Sequence, residues 1–275
     1  MPKLKANKIT LNYEQQGSGE PLILIPFLSA DNACYAFQIA DYAKHFTCIS
    51  IDLRGTGESD KTGSDYSIED LADDVAALMQ ALEISAAHVT GLSLGAAIGS
   101  WLAVKHPQKV RTLSVHSGWT KTDLFIKTVV EGWQANAKAR GNVAEMVIQS
   151  IFPWCFMPDL YANKPEYIQG LCDFVRSRPP QSVDEFILQS NAVITHDIEQ
   201  QLTRISAPTQ ITFGSHDMVT STRFAKPLQE NILNSELVVF EQCAHAPNYE
   251  KVDEFNQTTL AFLKRNNSLG AAAAR

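Results

Sequence analysis

The sequence predicts an α/β protein in which a mostly parallel sheet carries helices on both faces. Short apolar runs alternate with helical patterns along most of the 275 residues, and this alternation is typical of parallel sheets. It stops across residues 119–205, where only helical patterns remain. Hydrophobic residues make up 45% of the chain, which is enough for one large core. We therefore expect residues 1–118 and 206–268 to form the core, residues 119–205 to form an inserted helical lid, and residues 269–275 to be a disordered tail.

Three strands and one helix are predicted in the first part of the chain. Residues 8–15 alternate as a half-buried strand does, whereas residues 21–25 and 47–52 are apolar runs typical of central strands. Ser67 and Asp70 have the spacing of a capping box at a helix start. Behind them, apolar residues recur at intervals of three and four, which predicts a helix with one buried face: Ile68, Leu71, Val75, Leu78 and Leu82.

The later elements repeat this alternation. Small residues in the run that follows Gly95 would allow a helix to approach the sheet closely. β-Branched residues dominate the last predicted strands. The predicted strands are 87–90, 112–115, 209–213 and 237–240, and the predicted helices are 96–104 and 255–263.

A serine between two glycines directly follows one of these strands. Residues 89–95 have the sequence Val-Thr-Gly-Leu-Ser-Leu-Gly, so the chain turns sharply from a strand into a helix at Ser93. Gly91 and Gly95 lack the Cβ atoms that would collide at such a turn, and Ser93 can hold a strained backbone there. The N–H groups at a helix start favour the negative charge that develops when a hydroxyl attacks a carbonyl. The pattern favours Ser93 as a nucleophile.

Two polar residues that could activate this serine follow later strands. A serine hydroxyl needs a base, and the base needs an acid that orients it. Asp217 follows a strand and a glycine turn, and His245 lies in the loop after the next strand. Because the carboxyl ends of parallel strands lie at one edge of the sheet, we predict that His245 is the base and Asp217 the acid. Asp123 is an alternative acid, and His216 is expected to be only a neighbour.

These motifs resemble those of the α/β-hydrolase superfamily over most of the chain. Residues 52–59 are similar to its D-x-R-G-x-G-x-S turn, residues 214–217 and 244–247 are similar to its acid and histidine segments, and the order Ser, Asp, His is the superfamily's own. The resemblance implies the α/β-hydrolase fold and a Ser-His-Asp mechanism. Within the superfamily, Gly118-Trp119 and the aromatic run near Trp154 resemble segments of the enol-lactonases of aromatic catabolism and of the aminoacrylate hydrolases of pyrimidine breakdown.

An oxyanion hole is predicted from two backbone N–H groups. Leu94 follows the nucleophile, and Leu28 lies in the loop after strand 21–25. Many α/β-hydrolases carry His-Gly before the oxyanion residue in this loop, whereas here residues 25–29 are Ile-Pro-Phe-Leu-Ser. Because the donors are backbone groups, loss of His-Gly need not remove them. The sequence leaves the geometry of this loop open.

An apolar, capped pocket is expected above the serine. Phe27 lies beside the oxyanion loop, Trp119 follows the carboxyl end of a strand, and Trp154 interrupts the helical pattern of the lid. These positions predict that all three line the pocket. A small acyl or cyclic substrate would fit such a pocket.

The favoured function is hydrolysis of a small carboxylic ester or lactone through an acyl-enzyme. One alternative is cleavage of a C–C bond or an enamine on the same triad. Another is a ligand-binding protein that keeps the fold and uses the pocket to hold a small molecule.

Composition excludes several other partners. The net charge of −7 and the pI near 5.5 argue against binding to nucleic acid or anionic membranes. No segment resembles a signal peptide or a membrane span, so a cytoplasmic location is expected. Five scattered cysteines and seven histidines lack the spacing of zinc sites, and neither a metal nor a cofactor is expected. The oligomeric state is left open.

Overall fold

The computed structural model describes residues 2–273, with side chains for residues 2–267. In this part of the chain, eight strands form one sheet in the order β1-β2-β4-β3-β5-β6-β7-β8. The strands are β1 (Lys3–Ala6), β2 (Ile9–Gly17), β3 (Glu20–Ile25), β4 (Phe46–Ile51), β5 (Ala87–Leu92), β6 (Val110–His116), β7 (Thr209–Gly214) and β8 (Ser235–Phe240).

The sheet is parallel except at one edge. Strands β3 to β8 run parallel to one another, whereas β2 runs antiparallel to β4 and β1 antiparallel to β2. Parallel strands need crossover connections, and helices supply them here. The helices are α1 (Ala36–Tyr42), α2 (Ile68–Ala81), α3 (Leu94–Lys105), α4 (Leu124–Arg140), α5 (Val143–Met146), α6 (Phe152–Cys155), α7 (Pro158–Asn163), α8 (Pro165–Ser177), α9 (Val183–Ile194), α10 (Ala225–Asn231), α11 (Pro247–Glu250) and α12 (Val252–Ala273).

Both faces of the sheet are buried. Successive side chains of a strand point to opposite faces, and β3 shows the result. Ile23 and Ile25 pack in the core beneath α2 and α3, whereas Leu22 and Leu24 pack in a second cluster with α1 and α12. A continuous apolar strand is therefore the sequence signature of a strand covered on both sides, and the predicted fold class is confirmed.

The capping box at Ser67 forms as predicted, because the Ser67 side chain accepts from the Asp70 N–H and the Asp70 carboxylate accepts from the Ser67 N–H. Strand β1 was missed in the sequence. It joins β2 through a two-residue turn in which Asn7 and Lys8 both have positive φ, 47° and 69°. Such turns usually contain glycine. Because Lys8 stands where glycine is usual, the sequence gives no clear signal of this turn.

Residues 119–205, which we call the lid segment, lie between β6 and β7 and carry helices α4 to α9. Their two ends are hydrogen-bonded to each other, since the Thr122 N–H donates to the His196 carbonyl at 2.9 Å and the Ile198 N–H to the Thr120 carbonyl at 2.8 Å. Helix α4 packs against α9. The division into core and lid remains the interpretation made from the sequence.

The closing helix α12 extends to Ala273, past the position where a disordered tail was expected to begin. Residues 274–275 of that expected tail lie outside the described residues. None of the helices in residues 2–273 is both long and apolar enough to cross a bilayer.

Candidate active site

Ser93 occupies a sharp turn between β5 and α3. Its backbone has φ 54° and ψ −118°, a conformation that is costly for any residue with a Cβ atom. A Cβ built on Gly91 would lie 2.2 Å from the Gly95 carbonyl carbon, and one on Gly95 would lie 2.1 Å from the Ile25 oxygen. The Ser93 N–H donates to the His116 oxygen at 2.8 Å. The two glycines thus allow the close packing that holds Ser93 in its strained geometry.

Asp217 and His245 are in direct contact beyond the ends of β7 and β8. His245 Nδ1 lies 2.9 Å from Asp217 Oδ2, and the two side chains are 5% and 0% exposed. A Cβ on Gly214 would lie 1.9 Å from the Ala244 oxygen, so the turn that carries the acid packs directly against the loop that carries the histidine. The hydrogen bond fixes the ring and leaves Nε2 as the nitrogen that does not face Asp217.

Several protein donors stabilise the negative charge of the Asp217 carboxylate. Burial would raise its pKa, but the charge and hydrogen bond of His245 together with other donors hold the pKa of Asp217 below its usual value. Oδ1 accepts from the N–H groups of Val219 at 2.9 Å and Thr220 at 3.1 Å, and Oδ2 accepts from the Thr220 hydroxyl at 2.9 Å. Asp217 therefore stays ionised beside His245.

The histidine loop is held by residues that the sequence analysis did not identify. The Ser117 hydroxyl donates to the His245 carbonyl at 2.9 Å, and the Thr220 hydroxyl lies 3.1 Å from the Ser117 carbonyl. Glu250 accepts the Ala244 N–H at 2.7 Å. Ser117 directly follows β6 and has a positive φ of 47°, but nothing in its local sequence signals a contact 128 residues away.

The two predicted oxyanion donors are both available. Leu94 is the first residue of α3, and the first N–H groups of a helix have no partner within it. Within the described residues, the Leu28 N–H donates to no protein acceptor. Leu28, Leu94, Ser93 and His245 all line the same cavity.

This cavity has a volume of about 420 Å³ and is mainly apolar. The core contributes the predicted residue Phe27, and the lid segment contributes the predicted residue Trp119. Many other lining residues also come from the lid segment, among them Ile126, Val130, Trp133, Val147, Phe152 and Phe156. The cavity therefore lies between the sheet and the lid segment.

Two arginines reach the cavity wall, and each is paired with a carboxylate that also lines it. Arg178 Nε lies 2.7 Å from Asp31 Oδ2, and Arg176 Nε lies 2.7 Å from Glu145 Oε1. Arg176 also contacts Asp173 at 3.2 Å. Neither arginine offers an uncompensated positive charge to a ligand.

Trp154 does not line the cavity, contrary to expectation. It lies in the short helix α6, whose residues Phe152 and Cys155 line the cavity together with Phe156, the residue that follows the helix. The Trp154 ring packs edge-on against Phe125 with 6.3 Å between ring centroids. Helical geometry in this segment turns the tryptophan away from the wall that its neighbours form.

The alternative acid lies elsewhere. Asp123 caps α4 by accepting the Ile126 N–H at 2.9 Å and pairs with Arg223 at 3.0 Å, with 43% of its side chain exposed. His216 is exposed and contacts Ser215 at 2.8 Å. Neither residue contacts His245.

Three cysteines lie near the candidate site. Cys34 and Cys155 line the cavity and Cys243 is buried beside the histidine loop; burial raises the pKa of all three thiols, which disfavours the thiolate. Among the described residues, no group of three or more His, Cys, Asp or Glu side chains could hold a metal ion.

A strained serine at the start of a helix, a buried Asp-His pair and a capped cavity on a mostly parallel sheet are features of one class of protein. Residues 20–252 match the family model of the alpha/beta hydrolase fold, and the chain belongs to this family. The fold and the family expected from the sequence are thus confirmed.

Among its relatives, the chain is 29% identical over 267 residues to 3-oxoadipate enol-lactonase 2 of Acinetobacter baylyi, covering 96% of this chain and 97% of the other. It is 26% identical to a putative carbamate hydrolase RutD of Azorhizobium caulinodans, covering 95% and 98%. The crystal structure of the enol-lactonase from Burkholderia xenovorans LB400 superposes with a TM-score of 0.84 at 24% identity, covering 96% and 100%. The family and the curated relatives support hydrolase activity.

Proposed function

We propose that this protein is a serine hydrolase that cleaves small carboxylic esters or lactones through an acyl-enzyme. The observation that carries the proposal is the 2.9 Å contact between His245 and Asp217, because it orients a ring at the wall of the cavity that also contains Ser93. An oriented imidazole beside a serine hydroxyl is what nucleophilic catalysis requires.

In the proposed reaction, His245 Nε2 takes the proton of the Ser93 hydroxyl while Oγ attacks the substrate carbonyl carbon. The N–H groups of Leu28 and Leu94 bind the oxygen as it becomes negative. Asp217 stabilises the imidazolium, which then gives its proton to the leaving alcohol or ring oxygen as the C–O bond breaks. Water repeats the attack on the acyl-enzyme, which releases the acid and restores the Ser93 hydroxyl.

The cavity supports an uncharged, apolar acyl group as substrate. The two arginines at its wall are neutralised by Asp31 and Glu145. A carboxylate elsewhere on the substrate would therefore lose its hydration in the cavity without meeting an unpaired positive charge. The relatives' names specify an enol-lactone and a carbamate. Both are carbonyl groups with a heteroatom leaving group, which is the chemistry that the proposed mechanism performs.

The test is turnover of para-nitrophenyl esters of increasing acyl length, with small lactones alongside, by the wild type and Ser93→Ala. We expect Ser93→Ala to lose about 10⁴-fold or more in kcat. Ser100→Ala is the matched control, because Ser100 lies in helix α3, which directly follows Ser93, and its buried hydroxyl bonds only to the Ala96 carbonyl. Its rates should equal those of the wild type.

Other outcomes would favour the alternative functions. A wild type that is inert on esters and lactones but cleaves a C–C bond or an enamine in a Ser93-dependent way would favour the second reaction class. A wild type that binds small apolar ligands and turns over none of these substrates would identify a binding protein.

A further inference from the structure

The candidate oxyanion loop is held by the lid segment rather than by its own sequence. The Ala30 N–H donates to the Phe27 carbonyl at 3.1 Å, so residues 27–30 form a tight turn around Leu28. The third residue of this turn, Ser29, has a φ of 61°. Turns with positive φ at this position favour glycine or asparagine, so the serine needs support from outside the turn.

That support comes from Gln189 in helix α9. Its Oε1 accepts the Ser29 N–H at 2.9 Å across 160 residues of sequence, and Gln189 is fully buried. Because a backbone N–H can only donate, the amide atom that faces it must be the oxygen. Gln181, also in the lid segment, donates to the same oxygen at 3.3 Å and to the Gly55 carbonyl at 3.2 Å.

The other half of the Gln189 amide makes no hydrogen bond that would explain a glutamine at this position. Its Nε2 is buried and has no hydrogen-bond partner, and a buried amide that is only half satisfied is unfavourable compared with an apolar side chain. The bond to Ser29 is therefore the structural reason for a glutamine at this position. A second lid contact, the pair of Arg178 with Asp31, holds the chain two residues further along.

We infer that Gln189 is a positioning residue that holds the oxyanion loop in its active geometry from the lid segment. The inference rests on the proposed function and extends it: Leu28 donates to the oxyanion, and Gln189 fixes the peptide that follows Leu28. In a chain without His-Gly in this loop, the lid segment then completes the oxyanion hole as well as covering the cavity.

The test is Gln189→Met, which keeps the length of the side chain and removes the acceptor. A misplaced donor weakens binding of the transition state more than binding of the substrate, so we expect kcat to fall about 10- to 100-fold. KM should stay within about twofold of the wild type, because the lost interaction acts in the transition state. The Ki of a phenylboronic acid, which forms a tetrahedral adduct with Ser93, should rise by the same factor as kcat falls.

The matched control is Gln134→Met. Gln134 is also a lid glutamine, and it bonds to Ser190 at 2.8 Å and Asn191 at 2.9 Å on helix α9 without lining the cavity. It tests whether disturbance of lid packing alone lowers kcat. We expect wild-type kcat and Ki for this variant. An equal loss in both variants would overturn the inference.

Gln189→Asn covers the case in which Gln189→Met does not fold, since its amide is one methylene too short to reach the Ser29 N–H. If the wild-type activity depends on Ser93 but a folded Gln189 variant keeps full kcat, the inference about Gln189 is overturned and the proposed function stands. If no activity of the wild type depends on Ser93, the proposed function itself has failed. The two failures are therefore distinguishable.

Discussion

The sheet and the lid segment build this site in different ways. The sheet supplies Ser93, Asp217 and His245 at strand ends, where glycines allow backbones to touch: a Cβ on Gly95 or Gly214 would lie about 2 Å from a neighbouring carbonyl oxygen. The lid segment contains Gly132 and Gly170, where a Cβ would meet nothing within 4 Å. Close backbone contact in the core leaves a local sequence signal, whereas the lid acts through long side chains that leave none.

The largest expected effect separates the proposed acid from its alternative. Asp217→Asn should lower kcat about 10⁴-fold, because an asparagine cannot stabilise the imidazolium and can favour the wrong tautomer of His245. Asp123→Asn should keep kcat within about twofold, since asparagine is an equally good helix cap and the exposed pair with Arg223 contributes little. Ester hydrolysis by the two purified variants measures the difference. If Asp123→Asn lost activity and Asp217→Asn kept it, Asp123 would be identified as the acid instead.

The next prediction compares how alanine in place of a core glycine and of a lid-segment glycine changes the free energy of unfolding. Gly214→Ala should lower the free energy of unfolding by about 3 kcal/mol or more, because its Cβ would collide with backbone atoms that cannot rotate away. Gly132→Ala should raise it by about 0.5–1 kcal/mol, because alanine is favoured in the interior of helix α4 and the site is open. Denaturant unfolding measures both. A stable, active Gly214→Ala would show that the acid and histidine turns need not touch.

The same difference explains how much could be predicted from sequence. The fold, the capping box at Ser67 and the positions of the three proposed catalytic residues follow from periodicity and from glycines beside a polar residue. Gln189 and Arg178 could not be found in this way, because their roles depend on which loop the folded lid segment places beside them. Trp154 was misplaced for the same reason, since a helix of four residues decides which side chain faces the cavity.

A smaller effect tests the charges at the cavity wall. Mono-para-nitrophenyl succinate carries a carboxylate where para-nitrophenyl butyrate has a methyl group, and we expect its kcat/KM to be about 10-fold lower because no unpaired cation compensates the charge. The rate of Ser93→Ala supplies the background correction for self-hydrolysis. Faster turnover of the succinate would show that a cavity arginine binds the substrate directly.

Glu145→Gln sharpens this test, because it removes the cavity carboxylate that pairs with Arg176 at 2.7 Å. We expect it to reduce the difference in kcat/KM between para-nitrophenyl butyrate and mono-para-nitrophenyl succinate. Asp173→Asn is its control. Asp173 also contacts Arg176, but its side chain is 63% exposed and lies outside the cavity lining. The ratio of the two esters should not change in this variant.

The smallest expected effect distinguishes Trp119 from Trp154, two of the three tryptophans of the lid segment. Trp119 is buried at the cavity wall, with its ring packed against His196 at 4.8 Å between centroids. Trp119→Phe removes apolar surface that the acyl group would contact, so kcat/KM for the preferred ester should fall about 3- to 10-fold. Trp154→Phe should leave kcat/KM within about twofold, because the Trp154 ring contacts Phe125 rather than the cavity and loses no contact with substrate. A larger loss in Trp154→Phe would mean that the substrate extends past Phe152 to the Trp154 ring, and the lid segment would then bind a longer acyl chain than the described cavity holds.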